Sequence, residues 1–189
     1  MPTFIKQFVT STRKTGAVAP SSKTLSQLIV NSAQVAKAKS VVEFGPGTGV
    51  FTQKIMETLS KDATFFALEI NPAFVKATKK RCPEATVYQD SANNVKKYLK
   101  KNGIKECDCI ISGLPWYNFK AEQQEELLET IIDVLKPGGI FVTFAYIQGK
   151  FLPKGKQFRK RLNQKFSEVQ TTKTVWKNIP PAFVYAAKK

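Results

Sequence analysis

The chain has 189 residues, 42% of them apolar and 23% charged, which is ordinary globular usage and excludes disordered or collagen-like structure. It carries 30 Lys and Arg against 14 Asp and Glu, a net charge of +16, and no histidine. Ser-His-Asp and Cys-His catalysis, histidine-ligated zinc and an imidazole base are therefore excluded.

The length predicts one domain over residues 1–189. Residues 1–38 read as a basic helical lead segment, with Phe4, Ile5, Phe8 and Val9 around Lys6 and an N-cap signal at Pro20-Ser21-Ser22. The apolar run Val41 to Phe44 predicts a first strand, and Gly45-Pro46-Gly47-Thr48-Gly49 then opens a helix from Phe51 to Leu59. Thr64 to Ile70 is the second strand, and Pro72 to Arg81 a helix with proline in its first turn. Thr86 to Asp90 and Asn94 to Lys101 follow as strand and helix. Cys107 to Ser112 is the fourth strand and runs into Gly113-Leu114-Pro115-Trp116-Tyr117. Glu122 to Leu135 is a helix stopped by Lys136-Pro137-Gly138-Gly139. Ile140 to Tyr146 is a nearly all-apolar fifth strand, as the centre of a parallel sheet requires. Pro153 opens a basic helix to about Phe166, within an amphipathic insertion over 150–167. Val169 to Trp176 and Phe183 to Ala187 are the last strands, with no helix between them. This alternation predicts an α/β fold: a Rossmann-like, doubly wound, seven-stranded sheet, mostly parallel, with a C-terminal antiparallel hairpin.

The three cysteines, Cys82, Cys107 and Cys109, are an odd number and form no disulfide framework, which points to a reducing, cytoplasmic setting. No secretory signal and no bilayer-spanning apolar run is visible. The charge is concentrated. Residues 1–40 hold six basic and no acidic residues, residues 41–148 are neutral, and residues 149–189 carry a net +10. Two basic ends around a neutral body point to an anionic partner, either nucleic acid or a membrane surface.

The pattern Glu43-Phe44-Gly45-x-Gly47-x-Gly49 sits between a strand and a helix, where glycines let the backbone turn tightly and approach a ligand. A dinucleotide fingerprint needs its third glycine at Val50, one residue later than Gly49. Glu69 ends the second strand, where a carboxylate can accept both ribose hydroxyls, and Asp90 ends the third, where one suits the adenine amine. With the Lys-Pro-Gly-Gly before strand five, the pattern resembles motif I of the class I S-adenosylmethionine (SAM) methyltransferases. That resemblance implies SAM as cofactor. Glu43, Gly45, Pro46, Gly47, Thr48 and Gly49 would form its loop, Glu69, Ile70, Asp90 and Ser91 its nucleoside side, and Ser112, Gly113 and Leu114 the adjoining strand end.

Two narrower resemblances follow. Ser112-Gly113-Leu114-Pro115-Trp116 is similar to the Asn-Leu-Pro-Tyr motif of the rRNA adenine dimethylases, with Gly113 at the Asn position and no room for that family's C-terminal helical domain. More of the chain resembles the bacterial phospholipid N-methyltransferases. The matching segments are Gly16-Ala17-Val18-Ala19-Pro20-Ser21-Ser22, Ser112 to Pro115 with Asn118-Phe119, and Asn178-Ile179-Pro180-Pro181-Ala182. This implies methyl transfer to the amine of phosphatidylethanolamine or an ornithine lipid, peripherally on the inner face of the cytoplasmic membrane. The alternatives are an rRNA adenine N6-methyltransferase-like enzyme and a binding protein without turnover.

Phe158, Leu162 and Phe166 recur every four residues, amid Lys156, Arg159, Lys160, Arg161 and Lys165. Such a helix either lies in a headgroup interface or packs its stripe on the sheet. A lipid amine must lose a proton before attack. With no histidine, water, desolvation or a tyrosine could account for it; Tyr117 is the candidate base, with a buried packing aromatic as the other reading, and Trp116 and Asn118 would shape the amine pocket. No residue pattern points to a metal.

Overall fold

The computed structural model describes residues 23–189. The motifs read at Phe4 to Val9 and Gly16 to Ser22 lie outside the described residues.

Helix α1 (Lys23–Ser32) buries Leu25, Ser26, Ile29 and Val30 on one face, the three-and-four spacing of an amphipathic helix. Strand β1 (Ser40–Phe44) is buried along its whole length. Helix α2 (Val50–Thr58), strand β2 (Thr64–Leu68) and helix α3 (Pro72–Arg81) follow. Asn71 caps α3 by accepting the Ala73 N–H at 2.9 Å, and Pro72 fills the first turn, where no intrahelical donor is needed. Strand β3 (Val87–Tyr88), helix α4 (Val95–Lys101), strand β4 (Cys107–Ser112), helix α5 (Ala121–Val134) and strand β5 (Leu135–Tyr146) complete the alternating part. Helices α6 (Ile147–Phe151) and α7 (Pro153–Lys165) then lead to strands β6 (Glu168–Thr171) and β7 (Ala182–Lys188).

The seven strands run in the order β3-β2-β1-β4-β5-β7-β6, with β7 antiparallel to both of its neighbours and the other pairings parallel. This is the seven-stranded, mostly parallel α/β sheet that the alternation of elements predicts. Successive residues serve opposite faces. Val42, Phe44, Ile110 and Phe141 pack with Leu128 and Ile131 of α5, while Val41, Cys109, Ile111 and Val142 pack with Leu25, Ile29 and Ile55 of α1 and α2. The order reverses between β1 and β4, so the chain leaves these neighbours in opposite directions and opens a crevice at their carboxyl ends.

The structure departs from the sequence reading in five places. Strand β2 stops at Leu68, which leaves Glu69 and Ile70 beyond it. Strand β3 keeps only Val87 and Tyr88, which leaves Asp90 in the loop beyond it. Lys136 to Gly139 do not precede β5 but bulge within it, because Leu135 faces Cys107 while Ile140 faces Cys109. Strand β6 stops at Thr171, and beyond it Val175 makes only an isolated bridge to Ala182. The expected insertion over 150–167 is two helices, and its apolar stripe is core rather than surface. Phe158, Leu162 and Phe166 are 1%, 0% and 5% exposed. The Phe158 ring stacks on Trp116 at 5.0 Å and meets Tyr185 edge-on, so the stripe is already satisfied by protein and does not face lipid.

Candidate active site

The glycine loop turns out of β1 with Gly45, Gly47 and Gly49 all in the left-handed region (φ 68°, 59° and 79°), which residues with a side chain rarely adopt. It is tied on both sides. The Gly45 N–H donates to Leu68 O of β2, and the Gly113 N–H donates to Phe44 O from the loop after β4, at 2.9 and 2.8 Å. Gly113 approaches so closely that a Cβ there would lie 2.5 Å from the Gly45 carbonyl oxygen. The loops that follow β1 and β4 are thus in direct contact. Thr78 Oγ1 donates to Gly47 O and Arg81 Nε to Thr48 O, which anchors the outer half of the glycine loop to α3. Pro46 and Gly49 are buried, Thr48 is exposed, and space remains open beside Gly47.

Two carboxyl groups flank this loop. Glu43, fully buried on β1, accepts the Thr52 hydroxyl at 2.7 Å through Oε2, whereas its Oε1 makes no hydrogen bond. Burial pushes the Glu43 pKa up to about 8, against the Thr52 bond and with a smaller contribution from Glu69. Glu69 follows β2 and is 6% exposed. Its Oε2 accepts the Gly47 N–H at 3.2 Å and its Oε1 the Asn71 N–H at 2.9 Å, so it links the glycine loop to the start of α3. Burial raises its pKa too, opposed by those backbone N–H groups. Each Glu69 oxygen retains a second lone pair, enough for a diol. Ile70 beside it is 50% exposed. An unpaired buried carboxyl oxygen, a diol-competent carboxylate and open space against a glycine backbone together fit a polar nucleoside ligand.

Asp90 is differently placed. It accepts the Ser91 N–H, the Asn94 amide, the Tyr98 hydroxyl and Lys97, at 2.7, 2.7, 2.8 and 3.4 Å. The Asn94 amide, then Tyr98 and Ser91, hold its pKa down at about 2. Four donors fill four lone-pair positions. Asp90 with Ser91 therefore builds the loop before α4, and a ligand amine would have to displace one donor.

The loop after β4 rests on the core. Ser112 Oγ accepts the Trp116 indole N–H at 3.1 Å and the Leu114 N–H at 3.3 Å. Gln124 Nε2 donates to Trp116 O at 2.7 Å, and Arg161 of α7 donates to Gln124 Oε1 at 3.1 Å. Trp116 is 3% exposed. It supports the loop from beneath and does not present a ring to a pocket. Tyr117 is half-buried, with its hydroxyl enclosed and making no hydrogen bond, and it packs so closely on Gly149 that a Cβ there would overlap its ring. Burial, and then the neighbouring Tyr185 phenol, push the Tyr117 pKa far above its usual 10. That disfavours the phenolate and with it the base role expected of this residue. Asn118 is exposed at the loop's end. The cysteines are free and buried, and burial pushes the Cys107 thiol up to about 12, so none is a ready nucleophile. Sequence reasoning missed Thr52, Gln124, Arg161 and Gly149. Only Thr52 carried a local signal, one helical turn past the glycine loop.

A model of the methyltransferase domain family matches residues 41–139. The chain is 28% identical over 185 residues to an ornithine lipid N-methyltransferase of Singulisphaera acidiphila, covering 96% of this chain and 92% of that protein. In fold it resembles the O-methyltransferase from Bacillus cereus, determined in complex with SAH, at TM-score 0.71 and 14% identity over 97% of this chain and 89% of that one. It also resembles the O-methyltransferase TomG from Streptomyces achromogenes, determined in complex with SAM, at TM-score 0.66 and 19% identity over 89% of this chain and 81% of that one.

Proposed function

Because the chain belongs to the methyltransferase domain family, its site holds a methyl donor and admits an acceptor, and we propose that the acceptor is the amine of a membrane lipid headgroup, of the ornithine lipid or phosphatidylethanolamine kind. The observation that carries this reading is the similarity to an ornithine lipid N-methyltransferase along nearly the whole length of both chains. The donor is S-adenosylmethionine, and its sulfonium supplies an activated methyl group. Gly45 to Gly49 would cradle it, Glu69 would take its ribose diol through the free lone pairs, and the Glu43 Oε1 that lacks a partner would meet a donor group of the ligand. Ile70 and the Asp90–Ser91 loop would border its base.

The chain's own residues then have a limited task, since in-line methyl transfer depends on placement and on exclusion of water. Ser112, Gly113 and Leu114 hold the β4 loop against the glycine loop. The acceptor amine must be neutral, and with no histidine in the chain its proton leaves to water. The neutral Tyr117 hydroxyl can accept a hydrogen bond from the remaining N–H and so orient the lone pair. Tyr117 is therefore a positioning residue, with Asn118 at the exposed end of the same loop.

The test supplies labelled donor together with ornithine lipid or phosphatidylethanolamine in detergent micelles and, separately, total RNA. Label should enter lipid. Label in RNA alone, or donor bound with no transfer to either, overturns the reading. Tyr117→Phe should keep donor affinity and lower turnover about ten-fold, less than the ~10²–10⁴-fold expected of a true general base. Unchanged turnover removes Tyr117 from the reaction.

A further inference from the structure

Large apolar side chains left in water are unevenly distributed over this molecule. Among the described residues they are Ile70, Tyr146, Phe151, Leu152, Trp176 and Ile179, with exposures of 39–72%. All six lie at the edge where the parallel strands end. Ile70 follows β2, Tyr146 ends β5, Phe151 and Leu152 join α6 to α7, and Trp176 and Ile179 precede β7, which begins at this edge because it runs antiparallel. The Ile147 N–H donates to Pro181 O at 2.9 Å, so α6 and the loop before β7 are neighbours. The opposite edge carries no such residue among those described. Ile70 borders the donor site, but the other five have no role there.

Charge follows the same division. Lys150, Lys154, Lys173 and Lys177 are exposed around these five residues. After Asp133 the chain has one acidic residue, Glu168, and it stands opposite Lys188 in the β6–β7 register at the far edge. Isolated exposed apolar residues are unremarkable, but a cluster flanked by four exposed lysines beside a site's mouth marks an interaction surface, even with Glu122 in the same groove as Lys154. Nucleic acid would be met by lysines without the aliphatic tips. An aromatic and aliphatic rim with lysines around it matches the boundary of an anionic bilayer, where apolar tips enter and ammonium groups meet phosphate.

We propose that Phe151-Leu152 at the α6–α7 junction and Trp176 with Ile179 before β7 form a docking surface for an anionic lipid bilayer, which would set the carboxyl edge of the sheet, and the site in it, against the headgroups. This rests on the lipid reading above. It assigns contact to two exposed turns and not to the buried stripe of α7.

The full chain is tested by flotation with vesicles of phosphatidylcholine alone and of phosphatidylcholine with about a third phosphatidylglycerol. The anionic vesicles should carry the protein and shift its tryptophan emission to the blue. That shift reports Trp176, because Trp116 is already buried. The paired variants Phe151→Ser/Leu152→Ser and Trp176→Ser/Ile179→Ser should each weaken flotation on the order of ten-fold. They should melt as the parent does and methylate amino lipid in detergent micelles at the parental rate. Parental flotation by both variants overturns the docking surface. So does indifference of the unaltered protein to both vesicles, or self-association through these residues in size-exclusion chromatography. These vesicles contain no amine substrate, so the two readings fail separately. Patch-dependent flotation without micellar methylation leaves the surface standing and removes the amino-lipid acceptor, and the reverse result removes only the surface.

Discussion

At the edge where the parallel strands begin, polar groups are closely paired. Asp108 Oδ2 accepts the Lys39 and Ser40 N–H groups and the Ser40 hydroxyl at 3.0, 2.8 and 2.8 Å, and Oδ1 pairs with Lys136. Lys189 donates to Ile132 O and Leu135 O at 2.6 and 2.5 Å. At the edge where the strands end, Glu43 Oε1 and the Tyr117 hydroxyl are buried without a hydrogen bond, and the large exposed apolar side chains gather. Buried polar groups usually find partners; among the described residues the other exception is Thr171 Oγ1 in mid-sheet on β6, so the two at this edge mark where a ligand is accommodated. The begin-edge spends its polar groups on stability, and the end-edge holds its groups ready for ligands.

Three substitutions test this contrast. The largest effect is expected of Gly113→Ala, which drives a methyl against the Gly45 carbonyl and separates the two motif loops. Thermal melting should show a loss of ~1–3 kcal/mol, and calorimetry should show donor binding weakened with it. Retained donor affinity would mean that the contact between the loops does not shape the site. Asp108→Ala should cost about 2 kcal/mol by stranding the Ser40 and Lys39 donors, yet leave donor affinity at the parental value. A fall in affinity would break the division between the edges. The third effect is spread over pH and concerns Glu43. Its pKa is raised from an ordinary 4.5 to about 8, so between those values the folded chain keeps a proton that the unfolded chain has released. Its contribution is full below pH 4.5 and is lost as pH rises through 8. Glu43→Gln should flatten the fall in melting temperature across that window, where one such group contributes a slope of at most about 1.4 kcal/mol per pH unit. An unchanged profile would show that Glu43 does not titrate there.

Much of the fold is legible in the sequence. Cys107–Ser112 and Pro72–Arg81 appear with the bounds read from their residues, because an apolar run and a proline-led amphipathic turn are local signals. The glycine loop is legible for the same reason, since its three positive φ values exclude most other residues. The site is less legible. Trp116 reads as a pocket wall beside Tyr117, but the Phe158 ring, distant in sequence, draws it into the core. Asp90 reads as a free ligand carboxylate, but Tyr98 of α4 and Asn94 just before it fold back on it.

The sequence by itself determined the order of strands and helices, the glycine loop at its switch point and the excess of positive charge toward the ends, since each depends on contiguous residues. Tertiary structure alone decided which of two amphipathic features would be buried. The stripe of α7 resembles a membrane-facing helix, yet the sheet face beneath it offered aromatic partners, so it became core. Phe151, Leu152, Trp176 and Ile179 have no periodicity to mark them. They stand exposed because β7 runs antiparallel and brings its preceding loop to the carboxyl edge, beside the turn that follows β5.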